Sequence, residues 1–154
     1  MRQLDSAGPL ELLAVSRWCR TPPLANGSAR GWFLNGVAIF DVAEPIGDLL
    51  SRCRRLEEAA GRRRVRHWAD RPLDLDLLLA EGVTCDDATL TLPHPAIARR
   101  PFVLGPLLEV WPDAVDPTTG LRYADSPPAP GPQPTPRGVM LHRRQVDPTR
   151  GARG

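Results

Sequence analysis

The alternation of leucine and aspartate in RPLDLDLLLAEG, residues 71–82, constrains the fold more than any other feature of this sequence. Side chains two residues apart do not face each other on a helix, whereas on a strand they share one face, about 6–7 Å apart. The alternation therefore predicts a strand with Asp74 and Asp76 on one face and leucines on the other. Aspartate is disfavoured in strands and like charges repel, so a cation held between the two carboxylates would explain the pair. A solvated strand face over packed leucines explains it equally well.

Length, charge and cysteine content exclude several classes of protein. With 154 residues the chain has the size of one domain, and its net charge of +2 implies no strong overall field for nucleic acid or membranes. Cys19, Cys53 and Cys85 are far apart and show no C-x-x-C spacing, which disfavours a zinc site or a disulfide framework. We find neither a signal-peptide pattern nor an apolar run long enough to span a membrane. We expect a cytoplasmic, monomeric protein.

Periodicity and turn residues predict strands and helices in alternation. We expect a strand near residues 10–18, a loop from Arg20, and one strand over residues 32–42 that is apolar, and therefore buried, on both faces. A helix begins at Pro45, has an apolar face at i, i+3, i+4 spacing and ends at Gly61. The apolar face of this helix comprises Ile46, Leu49, Leu50, Cys53 and Leu56.

For the second half of the chain, the sequence predicts short secondary-structure elements followed by a disordered tail. After the Leu–Asp strand we expect a turn at Glu81–Gly82 and a segment near Thr89–Leu92. A proline-bounded turn then continues as a short apolar helix or turn near Phe102–Val110. From Ser126 the sequence is rich in proline and glycine and cannot bury enough surface to fold. We therefore predict one α/β (α+β) domain over residues 1–125 and a disordered tail over 126–154.

A basic loop precedes the aspartates. Arginines cluster at residues 62–66, and Arg71 lies three residues before Asp74. Arginines beside a carboxylate pair suit a nucleotide–Mg²⁺ site, although a charge run of this kind is often only a solvated turn. Trp68 either stacks on a planar group or packs on the surface. The chain lacks G-x-x-x-x-G-K-[ST], so any phosphate would be held without a P-loop. Nucleic-acid binding by the loop is disfavoured, because the adjacent carboxylates would repel a phosphate backbone.

Several stretches together resemble the hydroxymethyldihydropterin pyrophosphokinase family. They are RTPPL from Arg20, FLN from Phe33, LEEAAG from Leu56, R-x-x-x-x-x-W-x-x-R-x-LDLDLLL from Arg62, and LPHP followed by RRPFVLGPLLEVWP. The resemblance covers about Pro9–Asp113, and its most specific block is Arg71–Leu107. It implies a ferredoxin-like α/β sandwich. It also implies transfer of pyrophosphate from ATP to 6-hydroxymethyl-7,8-dihydropterin in folate biosynthesis, with AMP as the other product.

The resemblance assigns roles residue by residue. It implies that Asp74 and Asp76 hold two Mg²⁺ ions and that these two aspartates act in catalysis together with Arg62 and Arg71. The implied ATP contacts are Glu57, Arg64, Trp68, Leu77, His94 and Arg100. The implied pterin contacts are Thr21, Pro22, Leu24, Phe33, Asn35 and Phe102. Trp68 would belong to a mobile loop that closes over both substrates.

One departure from the family pattern leaves an alternative open. The family begins with a central strand ending in Gly-Ser-Asn and a long helix, whereas this chain begins near the end of that helix. We therefore expect the sandwich to lack its first strand and most of its first helix, which would split the sheet. The alternative to an active enzyme is an inactive or partial member that retains at most nucleotide or pterin binding.

Overall fold

The computed structural model describes residues 10–22, 32–61 and 73–127, together with the backbone of Thr135–Pro136. Within these residues the architecture is α+β, with two α-helices and three small antiparallel sheets. The strands are β1 (Leu10–Val15), β2 (Cys19–Thr21), β3 (Phe33–Asn35), β4 (Ala38–Val42), β5 (Cys85–Asp86), β6 (Thr91–Leu92) and β7 (Thr135–Pro136). The helices are α1 (Ile46–Ala59) and α2 (Pro101–Val110), and a 3₁₀ turn covers Tyr123–Asp125.

The first four strands form one bent antiparallel hairpin. Strand β1 pairs with β4 from Leu10–Val42 to Val15–Ala38, and β2 pairs with β3 from Cys19–Asn35 to Thr21–Phe33. Between these ladders, residues 16–18 face residues 36–37, so one arm carries an extra residue, as in a β-bulge that bends a strand. The strand predicted near residues 10–18 is confirmed as β1. The loop predicted from Arg20 is wrong at its start, because β2 extends to Thr21.

The single strand predicted over residues 32–42 is wrong, because β3 and β4 belong to different sheets. At the corner, the backbone N–H of Ser16 donates to Val37 O at 2.8 Å, while the Val37 N–H donates to the Ser16 hydroxyl at 2.9 Å. A side chain thus replaces a backbone carbonyl and ends the regular ladder. A Cβ on Gly36 would lie 3.1 Å from the Trp18 ring, so the absence of a side chain lets the indole cross the corner. Beyond the corner Leu34 is 62% exposed, so burial on both faces is also wrong.

Strand β7 belongs to the segment predicted to be disordered. Its residues pair with β2, Thr135 opposite Arg20 and Pro136 opposite Cys19. The prediction of complete disorder over residues 126–154 is therefore wrong at these two positions. The edge of β2 that faces away from β3 offers unpaired N–H and C=O groups, which an extended segment can pair with even where it contains proline. The rest of 128–154 lies outside the described residues.

Helix α1 follows its prediction closely. Pro45 precedes the first turn, and Gly61 follows the last with φ of 98°, a conformation that favours glycine. The Gly61 N–H donates to Glu58 O at 3.0 Å and closes the helix end. The predicted apolar face is buried or half-buried, with Cys53 at its centre. Glu57 lies on this same face and is only 3% exposed.

The Leu–Asp segment is extended, but the predicted strand is wrong. Residues 73–79 have no regular strand pairing with any described residue. The physical reason is that backbone groups of this segment bond elsewhere: the Leu75 N–H donates to the Glu57 side chain, and Leu78 O accepts the His94 N–H. The turn predicted at Glu81–Gly82 is confirmed, with a bridge between Ala80 and Val83.

The core lies between α2, the corner of the hairpin and the chain that follows α2. Its buried residues are Val37, Ile97, Leu107, Ala114 and Tyr123. Leu78 and Leu79, at the end of the Leu–Asp segment, pack against this cluster. Near Phe102–Val110, where either a short helix or a turn was predicted, the structure has the helix α2, which begins with Pro101 in its first turn. The core therefore anchors both the corner of the hairpin and the segment that carries the two aspartates.

Candidate active site

The exposures of the Leu–Asp segment alternate as its sequence does. Asp74 and Asp76 are exposed, whereas Leu73, Leu75 and Leu77 are half-buried. In extended chain, alternate residues point to opposite sides. The two aspartates therefore lie on the solvent side of the segment, while the leucines, including the predicted ATP contact Leu77, face the protein.

Two hydrogen bonds hold this segment at defined points. The Leu75 N–H donates to Glu57 Oε1 of α1 at 2.8 Å, and Leu78 O accepts the His94 N–H at 2.7 Å. The first bond is made by the residue between the two aspartates. The second joins the segment to the proline-bounded turn. The segment is thus positioned from both sides without a strand partner among the described residues.

The proline-bounded turn fixes the orientation of the His94 ring. Nδ1 of His94 accepts the Ala96 N–H at 3.1 Å, and the side chain is half-buried. In a neutral imidazole one nitrogen accepts and the other carries the proton. The proton of neutral His94 is therefore on Nε2, and the ring presents a donor. A donor at this position suits a phosphate or a nucleotide base.

The predicted pterin contacts on β2 and β3 share one face of the hairpin. Thr21 pairs with Phe33, and Asn35 is the diagonal neighbour of Thr21. The Asn35 Nδ2 donates to Thr21 Oγ1 at 2.9 Å. Thr21 is 9% exposed, Asn35 is half-buried and Phe33 is 37% exposed. Pro22 follows β2 and is exposed.

The start of α2 is tied to the same face. Cys19 precedes Thr21 by two residues, and its Sγ lies 3.7 Å from Phe102 O in the first turn of α2. Burial raises the pKa of the Cys19 thiol, so it stays protonated and able to donate. The Arg100 guanidinium carbon lies 6.0 Å from the centroid of the Phe102 ring. Phe102 therefore connects the predicted pterin contacts of β2 and β3 with one of the predicted ATP contacts.

Comparison with known proteins identifies the family. The model of the 7,8-dihydro-6-hydroxymethylpterin-pyrophosphokinase (HPPK) family matches residues 1–112 of this chain. The chain belongs to the HPPK family. The match includes all the residues for which the sequence predicts a role at the site, and it extends slightly further toward the N-terminus than the expected Pro9–Asp113.

Comparison with individual proteins of the HPPK family supports the same assignment. The chain is similar to the 2-amino-4-hydroxy-6-hydroxymethyldihydropteridine pyrophosphokinase of Methylorubrum extorquens, 40% identical over 115 residues, which cover 75% of this chain and 72% of that protein. The enzyme of the same name from Synechocystis sp. is 38% identical over 118 residues, 77% of this chain but only 60% of the relative. The one from Haemophilus influenzae is 30% identical over 119 residues, 77% of this chain and 74% of the relative.

The two exposed aspartates suit a hard cation. Carboxylate oxygens are the ligands that Mg²⁺ prefers, and Mg²⁺ in phosphoryl-transfer sites is usually held by one or two carboxylates together with substrate phosphates and water. Within residues 10–22, 32–61 and 73–127, no group of three or more His, Cys, Asp or Glu side chains is placed to hold a metal ion. A cation held by Asp74 and Asp76 would therefore need further oxygens beyond this pair, such as those of substrate phosphates and water.

Several predicted site residues lie outside the described part of the chain. They are Leu24, Arg62, Arg64, Trp68 and Arg71. Among the described HPPK residues, the structure brings Thr21, Asn35 and Phe33 together on one face. The link through Cys19 was missed, although its spacing of two residues from Thr21 on a strand already places both side chains on one face. No helix in the described part of the chain is long and apolar enough to cross a membrane.

Proposed function

We propose that this chain transfers the pyrophosphoryl group of ATP to the hydroxymethyl group of 6-hydroxymethyl-7,8-dihydropterin. The observation that carries the proposal is the HPPK family match over residues 1–112 together with the presentation of Asp74 and Asp76 on the solvent side of their segment. The names of the relatives from Methylorubrum and Synechocystis support the same reaction.

The bond changes define what the residues must do. The hydroxymethyl oxygen forms a bond to the β-phosphorus of ATP and loses its proton, and the bond from that phosphorus to the α–β bridging oxygen breaks. AMP leaves with the bridging oxygen. Attack must be in line, so the contribution of the protein is mainly positioning and neutralisation of charge. Little covalent chemistry is required of the side chains.

Each group of residues has one task in this proposal. Asp74 and Asp76 hold Mg²⁺, which when bound neutralises phosphate charge and orients the reacting oxygens. Thr21 and Asn35 hydrogen-bond the polar edge of the pterin, and Phe33 and Phe102 contact its ring. The Nε2–H of His94 donates to the nucleotide. The arginines that complete the charge neutralisation are Arg62, Arg64, Arg71 and Arg100.

The finer expectations belong to the same proposal. Two Mg²⁺ ions per site, a ferredoxin-like sandwich and a monomer are implied by the resemblance of Arg71–Leu107 to the family. A cytoplasmic location is suggested by three separated cysteines that form no disulfide framework. Metal titration tests the number of Mg²⁺ ions, and analytical ultracentrifugation tests the monomer, both in a single preparation.

The decisive experiment measures AMP. Purified protein with ATP, Mg²⁺ and 6-hydroxymethyl-7,8-dihydropterin is expected to release one AMP for each pterin diphosphate formed. Omission of the pterin, or chelation of Mg²⁺, should stop AMP release. AMP formation that does not depend on the pterin would contradict the proposal.

A second candidate, an inactive member that only binds ligand, is favoured by one observation. The described strands form three small sheets and not one continuous sheet. Calorimetry with Mg²⁺ and a non-hydrolysable ATP analogue separates the candidates in a preparation that releases no AMP. Binding heat in that preparation supports an inactive nucleotide binder. If no heat is seen, a second titration with the pterin tests for a pterin binder, and the absence of heat in both titrations excludes both candidates.

A further inference from the structure

The side chain of Glu57 reaches from the last turns of α1 to the segment that carries the two aspartates. We propose that Glu57 is a positioning residue, which holds the Leu75 amide so that Asp74 and Asp76 are presented together to a divalent cation. This inference rests on the proposed function. It gives Glu57 a different task from the direct ATP contact that the family resemblance implies.

The surroundings of Glu57 support an internal task. Glu57 is 3% exposed and shares the buried face of α1 with Cys53, whereas the adjacent Glu58 is exposed. Burying a carboxylate is costly unless it is hydrogen-bonded or paired. Its Oε1 accepts the Leu75 N–H at 2.8 Å, a short distance typical of a charge-assisted bond.

The position of this bond matters because Leu75 stands between the two aspartates. The Leu75 N–H belongs to the peptide plane that joins Asp74 to Leu75. The ψ of Asp74 and the φ of Leu75 set the orientation of that plane, so fixing its N–H restrains the backbone on both sides. In a regular sheet the ladder would supply this restraint. Residues 73–79 have no ladder within the described part of the chain, so the Glu57 carboxylate takes its place.

Charge also favours positioning over direct contact with ATP. A carboxylate repels the triphosphate unless a cation lies between them. Asp74 and Asp76 are exposed and could hold such a cation, whereas the buried Glu57 is directed at a backbone amide. Mutation of a group that orients a metal ligand without touching the metal typically lowers metal affinity or activity by about 10- to 100-fold.

The test compares three variants at a temperature well below their melting points. Glu57→Gln keeps an oxygen acceptor for Leu75 but removes the charge, Glu57→Ala removes both, and Glu58→Ala is the matched exposed control on the same helix. The readouts are amide hydrogen exchange of Leu75, the Mg²⁺ concentration for half-maximal AMP release, and binding of Mn²⁺ with a non-hydrolysable ATP analogue. If Glu57→Ala does not fold, Glu57→Met supplies an apolar side chain of similar length.

For Glu57→Ala we expect Leu75 exchange to be about tenfold faster and half-saturating Mg²⁺ to rise about 10- to 100-fold. The Mn²⁺ affinity should fall by a similar factor. Glu57→Gln should lie between Glu57→Ala and the unmodified protein on all readouts, since it keeps an acceptor for the Leu75 N–H but loses the added strength of a charged one. Glu58→Ala should match the unmodified protein.

Two results would overturn the inference. Equal losses in Glu57→Gln and Glu57→Ala would show that the charge matters and not the acceptor. Faster exchange at Leu75 without any change in metal dependence would assign Glu57 a purely structural role. If the unmodified protein releases no AMP, the proposed function fails, but this result does not test the role of Glu57. The Mn²⁺ affinity of Glu57→Ala then tests the positioning role. Weaker Mn²⁺ binding in Glu57→Ala supports positioning, whereas unchanged or absent binding rejects it.

Discussion

The side chains of Thr21 and Asn35 are hydrogen-bonded across β2 and β3, with Nδ2 of the amide donating to the threonine hydroxyl at 2.9 Å. This bond directs the amide nitrogen toward Thr21 and leaves Oδ1 of Asn35 as an acceptor. The Thr21 hydroxyl keeps its proton as a donor. A pterin edge carries N–H donors beside a carbonyl acceptor, which is complementary to this pair.

Thr21→Val should therefore weaken pterin binding selectively. It removes the hydroxyl that orients the Asn35 amide while keeping the shape of the side chain. We expect the KM for the pterin to rise about 5- to 30-fold, which corresponds to about 1–2 kcal/mol, while the KM for ATP is unchanged. Steady-state kinetics with each substrate varied in turn measures this. Thr84→Val, at an exposed threonine, is the control. An equal rise in both KM values would contradict the assignment of Thr21 to the pterin.

Asp74→Asn and Asp76→Asn should each abolish turnover without unfolding the protein. Both side chains are exposed, so little packing is lost. Loss of a metal ligand removes several kcal/mol of stabilisation from the transition state, so we expect turnover to fall at least about 1,000-fold. Single-turnover AMP assays and circular dichroism provide the two measurements. Glu81→Gln removes an exposed carboxylate in the following turn and should be as active as the unmodified protein. Retention of more than a tenth of the activity in either aspartate variant would argue against both residues as metal ligands.

Ser16→Ala should destabilise the corner of the hairpin. Ser16 is 1% exposed, and its hydroxyl accepts the buried Val37 N–H at 2.9 Å. Leaving that N–H unsatisfied should cost about 1–3 kcal/mol, measured as a lower free energy of unfolding in urea. Ser51→Ala, at an exposed serine of α1, should change stability by less than about 0.5 kcal/mol. If the two variants proved equally stable, the Ser16 hydroxyl would have no part in forming the corner.

The turn between β5 and β6 should open only in strong acid. Hydrogen bonds from the Thr89 hydroxyl and amide, with others from Cys85 and Leu90, lower the pKa of Asp87 from 3.8 to about 2. A carboxyl group with a lowered pKa in the folded state stabilises that state at pH above 3.8, and this contribution is lost as the pH falls toward 2.

NMR can follow this transition at the Thr89 and Leu90 amides, which donate to Oδ1 of Asp87 at 2.7 and 2.9 Å. Their chemical shifts should titrate with a midpoint near the lowered pKa of about 2. Asp87→Asn keeps the acceptor but cannot titrate, so its amide shifts should stay constant over this range. A midpoint close to 3.8 in the unmodified protein would mean that these hydrogen bonds are weak in solution.

Patterns among residues close together in the sequence predicted the helices and the exposed side of the segment that carries the two aspartates. The period of 3.6 residues and Gly61 predicted α1, and the apolar run near Phe102–Val110 predicted a short helix or turn where α2 lies. The leucine–aspartate alternation predicted which side chains are exposed in residues 73–79, even though no ladder forms there. These features depend on residues close together in the chain, which is why a single sequence revealed them.

The remaining features depend on distant partners. The break at Gly36 is set by the Ser16 hydroxyl, 21 residues from the amide that it binds. The extended segment bonds to Glu57, 18 residues before Leu75. Thr135 and Arg20, which pair across β7 and β2, are even further apart in the sequence. Neither periodicity nor turn chemistry encodes such contacts, so the sequence showed the residue types of the site but not how they are held together.

The bond between Glu57 and Leu75 also closes a loop in the chain, and the arginine-rich stretch lies wholly inside it. The entropy needed to close a loop grows only slowly with its length, by about 0.6 kcal/mol for each doubling. Insertions or deletions between these two anchor points should therefore be inexpensive for folding. Evolution can therefore change the length of the arginine-rich stretch while the bond between Glu57 and Leu75 stays in place.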